Sequence, residues 1–308
     1  MLTGILNGVT GQLDKRFLLN AFFPTVVFSI ALILAGAASA SGVEPAVETW
    51  DELDATVKIL LTVGWFTAVI VAANILATKV LGIVKLFEGY ALPWGMRWAA
   101  KPGRNRQHAQ AKQLWATAMS DDPGDAREQF QERFPVAPRK LTPGEVAPTR
   151  LGNLLLSAET YSRDRYGVDA VRVWPRLYHL LPEKLLTSMA EARASMELLL
   201  VVAFLAGVYA PLASIWLLAT GAPDAWFFGA LLGGALLSYT AYWGALAPAT
   251  IYGDHVRAAF DLHRLELLAA MRTPIPATPD EERRTWTRAT RLLEYGEPVT
   301  WRYVEAPK

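Results

Sequence analysis

The chain has 308 residues, of which 52% are hydrophobic and only 19% charged; 30 Lys and Arg stand against 29 Asp and Glu, and cysteine is absent. A soluble domain carries about 25% charge. The composition therefore excludes a disordered chain, a disulfide scaffold, a thiolate metal site and a globally basic nucleic-acid binder.

The first 16 residues carry a helical stripe of Leu2, Ile5, Leu6, Val9 and Leu13, which predicts an amphipathic N-terminal helix over 1–16. Residues 17–40 follow without an ionisable side chain, long enough for a bilayer that needs about 20 apolar residues. Lys15 and Arg16 ahead of this run, and Ala35-Gly-Ala-Ala-Ser-Ala40 at its end, outline a secretory signal. The run is longer than the 7–15 apolar residues of such signals, so it is read as the first span. The loop 41–57 holds Glu44, Glu48, Asp51, Glu52 and Asp54 and no Lys or Arg.

The second span covers 59–78 and its helix continues to about residue 90. Spans three and four, 198–223 and 225–253, are joined by Gly221-Ala-Pro-Asp224, a tight turn that makes a helical hairpin. Lys15 and Arg16 precede the first span. Lys79, Lys85, Arg97, Lys101, Arg104 and Arg106 follow the second, and Arg257 and Arg264 follow the fourth. Apart from Lys58 at the other end of the second span, the basic residues thus flank one side. The positive-inside rule makes that side cytoplasmic, with the acidic loop outside and both termini on the inner side of the cell (inner) membrane.

Small residues recur every four positions at Gly64, Ala68 and Ala72 in the second span and at Gly229 and Gly233 in the fourth. Such faces let helix backbones approach in lipid. Asn74 in the second span and Ser238, Tyr239, Thr240 and Tyr242 in the fourth are expected to bond between helices, with Asn74 and Ser238 also candidates to line a pore. No Asp, Glu, Lys, Arg or His lies deep in a span, which disfavours ion-coupled carriers and proton relays. Pro24, Pro211 and Pro248 are read as static kinks.

The middle region, 91–195, opens with Arg97, Lys101, Arg104 and Arg106, a basic stretch attracted to anionic headgroups. A short helix over 125–134 and a Pro-rich linker over 135–148 are expected next. Leu151, Leu154, Leu155 and Ala158 mark a helix that stops at Gly167, with Glu159 and Arg163 as an i,i+4 pair. Val171 and Val173 alternate with polar residues and predict a short strand. Pro182 then opens a helix running into the third span. Arg163, Arg165, Arg172 and Arg176 are the candidate docking residues for an anionic ligand or a protein partner, because guanidinium forks match phosphate and carboxylate.

The tail, 254–308, begins with an amphipathic helix to about residue 272. Asp254 beside His255, and Asp261 beside His263, are read as surface or capping pairs. Thr278-Pro-Asp-Glu-Glu282 is a helix start, with cap, first-turn proline and acids near the positive end. Gly296 ends that helix. Val299, Trp301 and Tyr303 then alternate as a terminal strand pairing with 170–174. No nucleotide loop, zinc motif or nucleophile elbow is present, and the four histidines are not spaced for shared ligation. No catalytic residue, metal or cofactor is assigned.

The fold expected is a mainly α polytopic membrane protein: two helical pairs, 17–90 and 196–253, and a cytoplasmic helical domain from 91–195 and 254–308 with one small strand pair. The expected partners are the lipid bilayer, further copies of the chain and a cytoplasmic protein, with no nucleic acid. The function expected first is an oligomeric, channel-like pore governed by the cytoplasmic domain. The alternative is a membrane anchor presenting that domain to a soluble partner; a membrane-embedded enzyme ranks third.

Overall fold

A computed structural model describes residues 16–40, 42–90, 98, 100–134, 146–298 and 304. The described residues are mainly helical and include no strand. A π-helical turn, Leu18–Phe22, leads into α1 (Phe23–Ala40). Pro24 lacks the N–H that would bond the Asn20 carbonyl, and the Phe23 N–H reaches back to the Leu18 carbonyl. The chain continues through α2 (Val43–Glu52), α3 (Ala55–Glu88), α4 (Ala100–Ala118), α5 (Ala126–Arg133) and α6 (Arg150–Tyr166). It closes with α7 (Ala170–Leu177), a 3₁₀ turn (Tyr178–Leu180), α8 (Glu183–Ala219), α9 (Asp224–Ala270) and α10 (Pro279–Tyr295).

Among the described residues, four helices are long and apolar enough to cross a membrane: Leu18–Ala38, Ala55–Glu88, Glu183–Ala219 and Asp224–Ala270. The last two run on through Pro211 and Pro248 without a break. The acidic segment between the first two is helical rather than open, and α3 begins at Ala55, ahead of the apolar run. Asp54 starts it by accepting the Thr56 N–H at 2.8 Å.

The chain divides into two compact units, Met1–Val84 with Ala194–Ala245, and Lys85–Arg193 with Leu246–Lys308. In the first, Ala35 and Ala38 of α1 are buried with Ala213 and Leu217 of α8 and Ala230 of α9. Phe28 and Tyr209 meet edge to face at 6.4 Å. Asn20, 8% exposed, donates its Nδ2 to the Ala194 carbonyl at 3.1 Å. Where α8 and α9 touch, a Cβ at Gly234 would meet Ala210 Cβ at 2.9 Å, and Ser238 Oγ donates to the Ala203 carbonyl at 2.8 Å. Small residues and one hydroxyl hold this pair, as expected where helices lack a hydrophobic drive to associate.

The second unit has a conventional apolar core. Val168, Val173, Leu177, Phe260, Leu268 and Trp286 are all fully buried in it, each contributing about 1.5–3 kcal/mol of transfer free energy. A satellite cluster joins Ala111 of α4 to Phe130 of α5, Phe134 and Val146. Local chemistry sets the helix ends. Thr149 caps α6 by accepting the Gly152 N–H at 3.0 Å, and Gly167 ends it at φ 77°. Thr278 caps α10, with Pro279 in the first turn, and Gly296 ends it at φ 67°.

Residues 170–177 correct the strand expectation. Asp169 accepts the Arg172 N–H at 3.1 Å and starts a helix. Ala170, Val173 and Leu177 are buried while Val171 is 61% exposed. The spacing that decides the outcome is i, i+3, i+7, not the alternation of two valines. The expected partner strand, 299–303, the N-terminal helix over 1–15 and the linker residues 135–145 lie outside the described residues.

Candidate functional site

Two places in the described residues combine exposure with polar groups. The first is one side of α3. Of its 34 residues only Val69, Ala73, Ile83 and Val84 are buried. Gly64, Ala68 and Ala72 are exposed, and a Cβ added at Gly64 would meet nothing within 4 Å. At about 100° per residue, Thr67, Asn74 and Thr78 fall within about 40° of one another on the adjoining side. All three are exposed. Each donates to its own helix: Thr67 Oγ1 to Val63 at 2.8 Å, Asn74 Nδ2 to Ile70 at 2.9 Å, Thr78 Oγ1 to Ile75 at 2.7 Å. Their oxygens keep acceptor capacity, which hydrocarbon cannot satisfy.

The other expected packing residues divide. Ser238 bonds across to α8 as described, whereas Gly229 and Gly233 have nothing within 4 Å of an added Cβ. Gly234, beside them, makes the close approach instead.

The second place is a cleft of about 810 Å³ in the second unit, lined by Trp115, Phe134, Tyr161, Arg165, Arg257 and Asp261 among others. Polar side chains of α9 at 257, 261 and 264 follow the i, i+4, i+7 rhythm beside the buried Val256, Phe260 and Leu267. Asp261 is the centre. Tyr166 donates its hydroxyl to Oδ1 at 2.6 Å, and the Tyr161 hydroxyl lies 3.0 Å from both carboxylate oxygens. Burial first, then the bond to this carboxylate, hold the Tyr166 hydroxyl far above the ordinary phenol range. Tyr161 is raised for the same reasons.

Arg264 locks the other side. Its guanidinium stacks 3.8 Å from the Tyr166 ring centroid, donates Nε to Glu282 Oε1 at 2.7 Å and Nη1 to the Asp261 carbonyl. Both members of the Arg264–Glu282 pair are largely buried, so removing either would strand a charge. Arg257 is equally committed. It pairs with Asp254 at 2.7 Å and donates Nη2 to Ser157 Oγ at 2.7 Å and to the Glu132 carbonyl at 3.1 Å.

The four candidate docking arginines do not converge. Arg165 reaches the cleft, its guanidinium 5.7 Å from the Tyr161 ring. Arg163 lies 3.8 Å from Asp164 rather than against Glu159. Arg172 pairs with Glu294 of α10 at 2.7 Å, and Arg176 donates to the Arg172 carbonyl at 2.9 Å. Lys101, Arg104 and Arg106 lie along α4, and Arg97 falls outside the described residues. The expected aspartate–histidine neighbours also separate: His263 contacts Glu266 at 2.8 Å, while Asp254 and Asp261 serve Arg257 and the tyrosines.

The sequence matches no protein-family model, and comparison with curated proteins and with solved structures yields no match. The functional reading therefore rests on the chain's own geometry.

Proposed function

We propose that the chain is a multi-pass inner-membrane protein that assembles into a homo-oligomeric, channel-like pore, with its second unit in the cytoplasm and both termini inside. The observation that carries this reading is the pair of adjoining faces on α3. A stripe of small residues (Gly64, Ala68, Ala72) suits helix–helix contact between copies. Beside it, a stripe of hydroxyl and carboxamide groups (Thr67, Asn74, Thr78) suits a wet lumen better than lipid. The excess of Lys and Arg on one side, against Lys58 alone on the other, supports the orientation, and Arg97, Lys101, Arg104 and Arg106 would meet the anionic inner leaflet.

The test pairs mass photometry of the nanodisc-embedded protein with ion flux in liposomes. A closed ring with flux that Asn74→Leu abolishes, while assembly persists, is the expected result. A monomer that passes no ion or dye would overturn the pore. The polar cleft of the second unit favours one other reading, a membrane anchor that presents this unit to a soluble partner. In that case Arg165→Glu would abolish partner capture and leave the oligomeric state untouched.

A further inference from the structure

The first unit holds a second, quite different cavity. It has a volume of about 790 Å³ and lies among α1, α8 and α9, from Leu19, Phe23 and Leu198 at one end to Leu34, Leu217 and Trp226 at the other. Among its lining side chains only Tyr209 and Trp226 carry a polar atom. Gly229 and Gly233 line it too, with nothing within 4 Å of an added Cβ, so two absent side chains create much of the space. The π-helical turn Leu18–Phe22 sets Leu19 and Phe23 at its mouth; such turns often mark functional positions.

Two simple readings fail. Water needs two to four polar partners per molecule, and this lining offers almost none. A void of this size is foreign to packed helices, which leave few gaps larger than a water molecule. From Leu19 to Leu34 is about 22 Å of helix rise, and a polymethylene chain, about 4–5 Å across from carbon contact distances, fits along it. The edge is open: Leu19, Val27, Leu34 and Leu237 are 44%, 66%, 51% and 50% exposed. Arg16 stands one turn before Leu19 on the same helix, which puts a positive charge at the end where a phosphate headgroup would emerge.

We infer that this groove holds one acyl chain of a membrane phospholipid, entered sideways from the bilayer and seated against Gly229 and Gly233. The inference rests on the reading of these helices as membrane-spanning. It is tested on the full chain in nanodiscs of palmitoyl-oleoyl phosphatidylglycerol doped with the same lipid carrying a mid-chain diazirine. Photolabelling should tag Phe28, Tyr209 and Trp226 at least as strongly as the outward Ile70 and Ile75 of α3. Filling the groove with Gly229→Leu and Gly233→Leu should cut the groove labelling at least fivefold and leave α3 labelling unchanged. Labelling confined to α3, or groove labelling indifferent to both leucines, overturns the acyl-chain site while the membrane reading survives. No labelling on either face would instead strike at the membrane reading. Should the leucine variants not fold, the wild-type pattern still decides. A disulfide between two copies carrying Leu237→Cys would assign the groove to a second chain and overturn it as well.

Discussion

The hydroxyl of Tyr166 lies 2.6 Å from Asp261 Oδ1, the two residues separated by 95 positions in sequence. The ring of the same tyrosine carries the Arg264 guanidinium on its face at 3.8 Å. One side chain therefore donates a hydrogen bond to a carboxylate and receives a cation on its ring, and both partners come from α9.

Tyr166→Phe removes the donor and keeps the stacked ring. The second unit should lose about 1–3 kcal/mol, the cost of leaving a carboxylate short of a hydrogen bond. Tyr166→Ala should cost more, because Arg264 loses its platform. Thermal unfolding followed by near-ultraviolet circular dichroism measures both.

The same pair sets an alkaline limit. Burial and Asp261 raise the Tyr166 hydroxyl in the folded chain, so the folded state keeps its proton after the unfolded chain has lost it. The contribution is complete below pH about 10, the ordinary phenol value. It is lost as pH rises further, because the folded state then binds more protons than the unfolded one. Stability should fall above pH about 10, and the fall should be shallower in Tyr166→Phe. Denaturant midpoints at a series of alkaline pH values read the difference; parallel curves for the two proteins would refute it.

Asn153 is fully buried, and its carboxamide is spent on the backbone before α6. Oδ1 accepts the Ala147 N–H at 2.8 Å, and Nδ2 donates to the Ala147 and Thr149 carbonyls at 3.0 and 2.9 Å. Asn153→Leu keeps the volume but takes this partner from the Ala147 N–H and carbonyl, at about 1–3 kcal/mol apiece, while the Thr149 carbonyl keeps the Asn153 backbone N–H at 3.2 Å. We expect a loss of several kcal/mol and enhanced proteolysis near residue 147. Asn153→Ala should differ little from it, since the missing bonds, not the missing volume, dominate.

Gly152 has no room for a side chain. A Cβ there would collide with the Glu88 carbonyl and with Ala147 Cβ. Gly152→Ala should therefore destabilise the second unit although alanine is the better helix former. Gly229→Ala, facing open space, should be neutral or slightly stabilising. The contrast between two Gly→Ala changes in helices is read from their melting temperatures.

Gly64→Leu and Ala68→Leu, on the exposed side of α3, should reduce the oligomer to smaller species if copies meet there. The isolated chain loses no contact at Gly64, so its own fold should be unaffected. Size distribution by mass photometry, with helicity as the control, decides the case.

Much of this fold is legible residue by residue, because the forces involved are local. Thr149, Gly167, Thr278 and Gly296 mark helix ends through bonds that reach only a few residues. The four apolar runs are legible because length and the absence of charge suffice to define them. Val171 and Val173 mislead because two residues fit period 2 and period 3.6 about equally; the packing of Ala170 and Leu177 chooses. The site around Asp261 was not legible. Tyr161, Tyr166, Arg264 and Glu282 come from three helices, and nothing in their spacing declares the meeting. The one available signal was the polar row 257, 261, 264 beside an apolar face of α9. The four docking arginines are close in sequence, yet α6 and α7 aim them at different neighbours.

Trp286 is fully buried among side chains contributed from residue 158 onward. Arg283, three residues before it, donates to the Asp164 and Arg165 carbonyls at the end of α6. During synthesis, then, α6 and α7 leave the ribosome long before the helix that covers them. Val173, Leu177 and later Phe260 must stay uncovered while the two long apolar helices between them are made. The second unit cannot close in step with translation; it has to wait for α10. A nascent chain halted before residue 279 should be recognised by chaperones and proteases as unfinished, even with every span already in place.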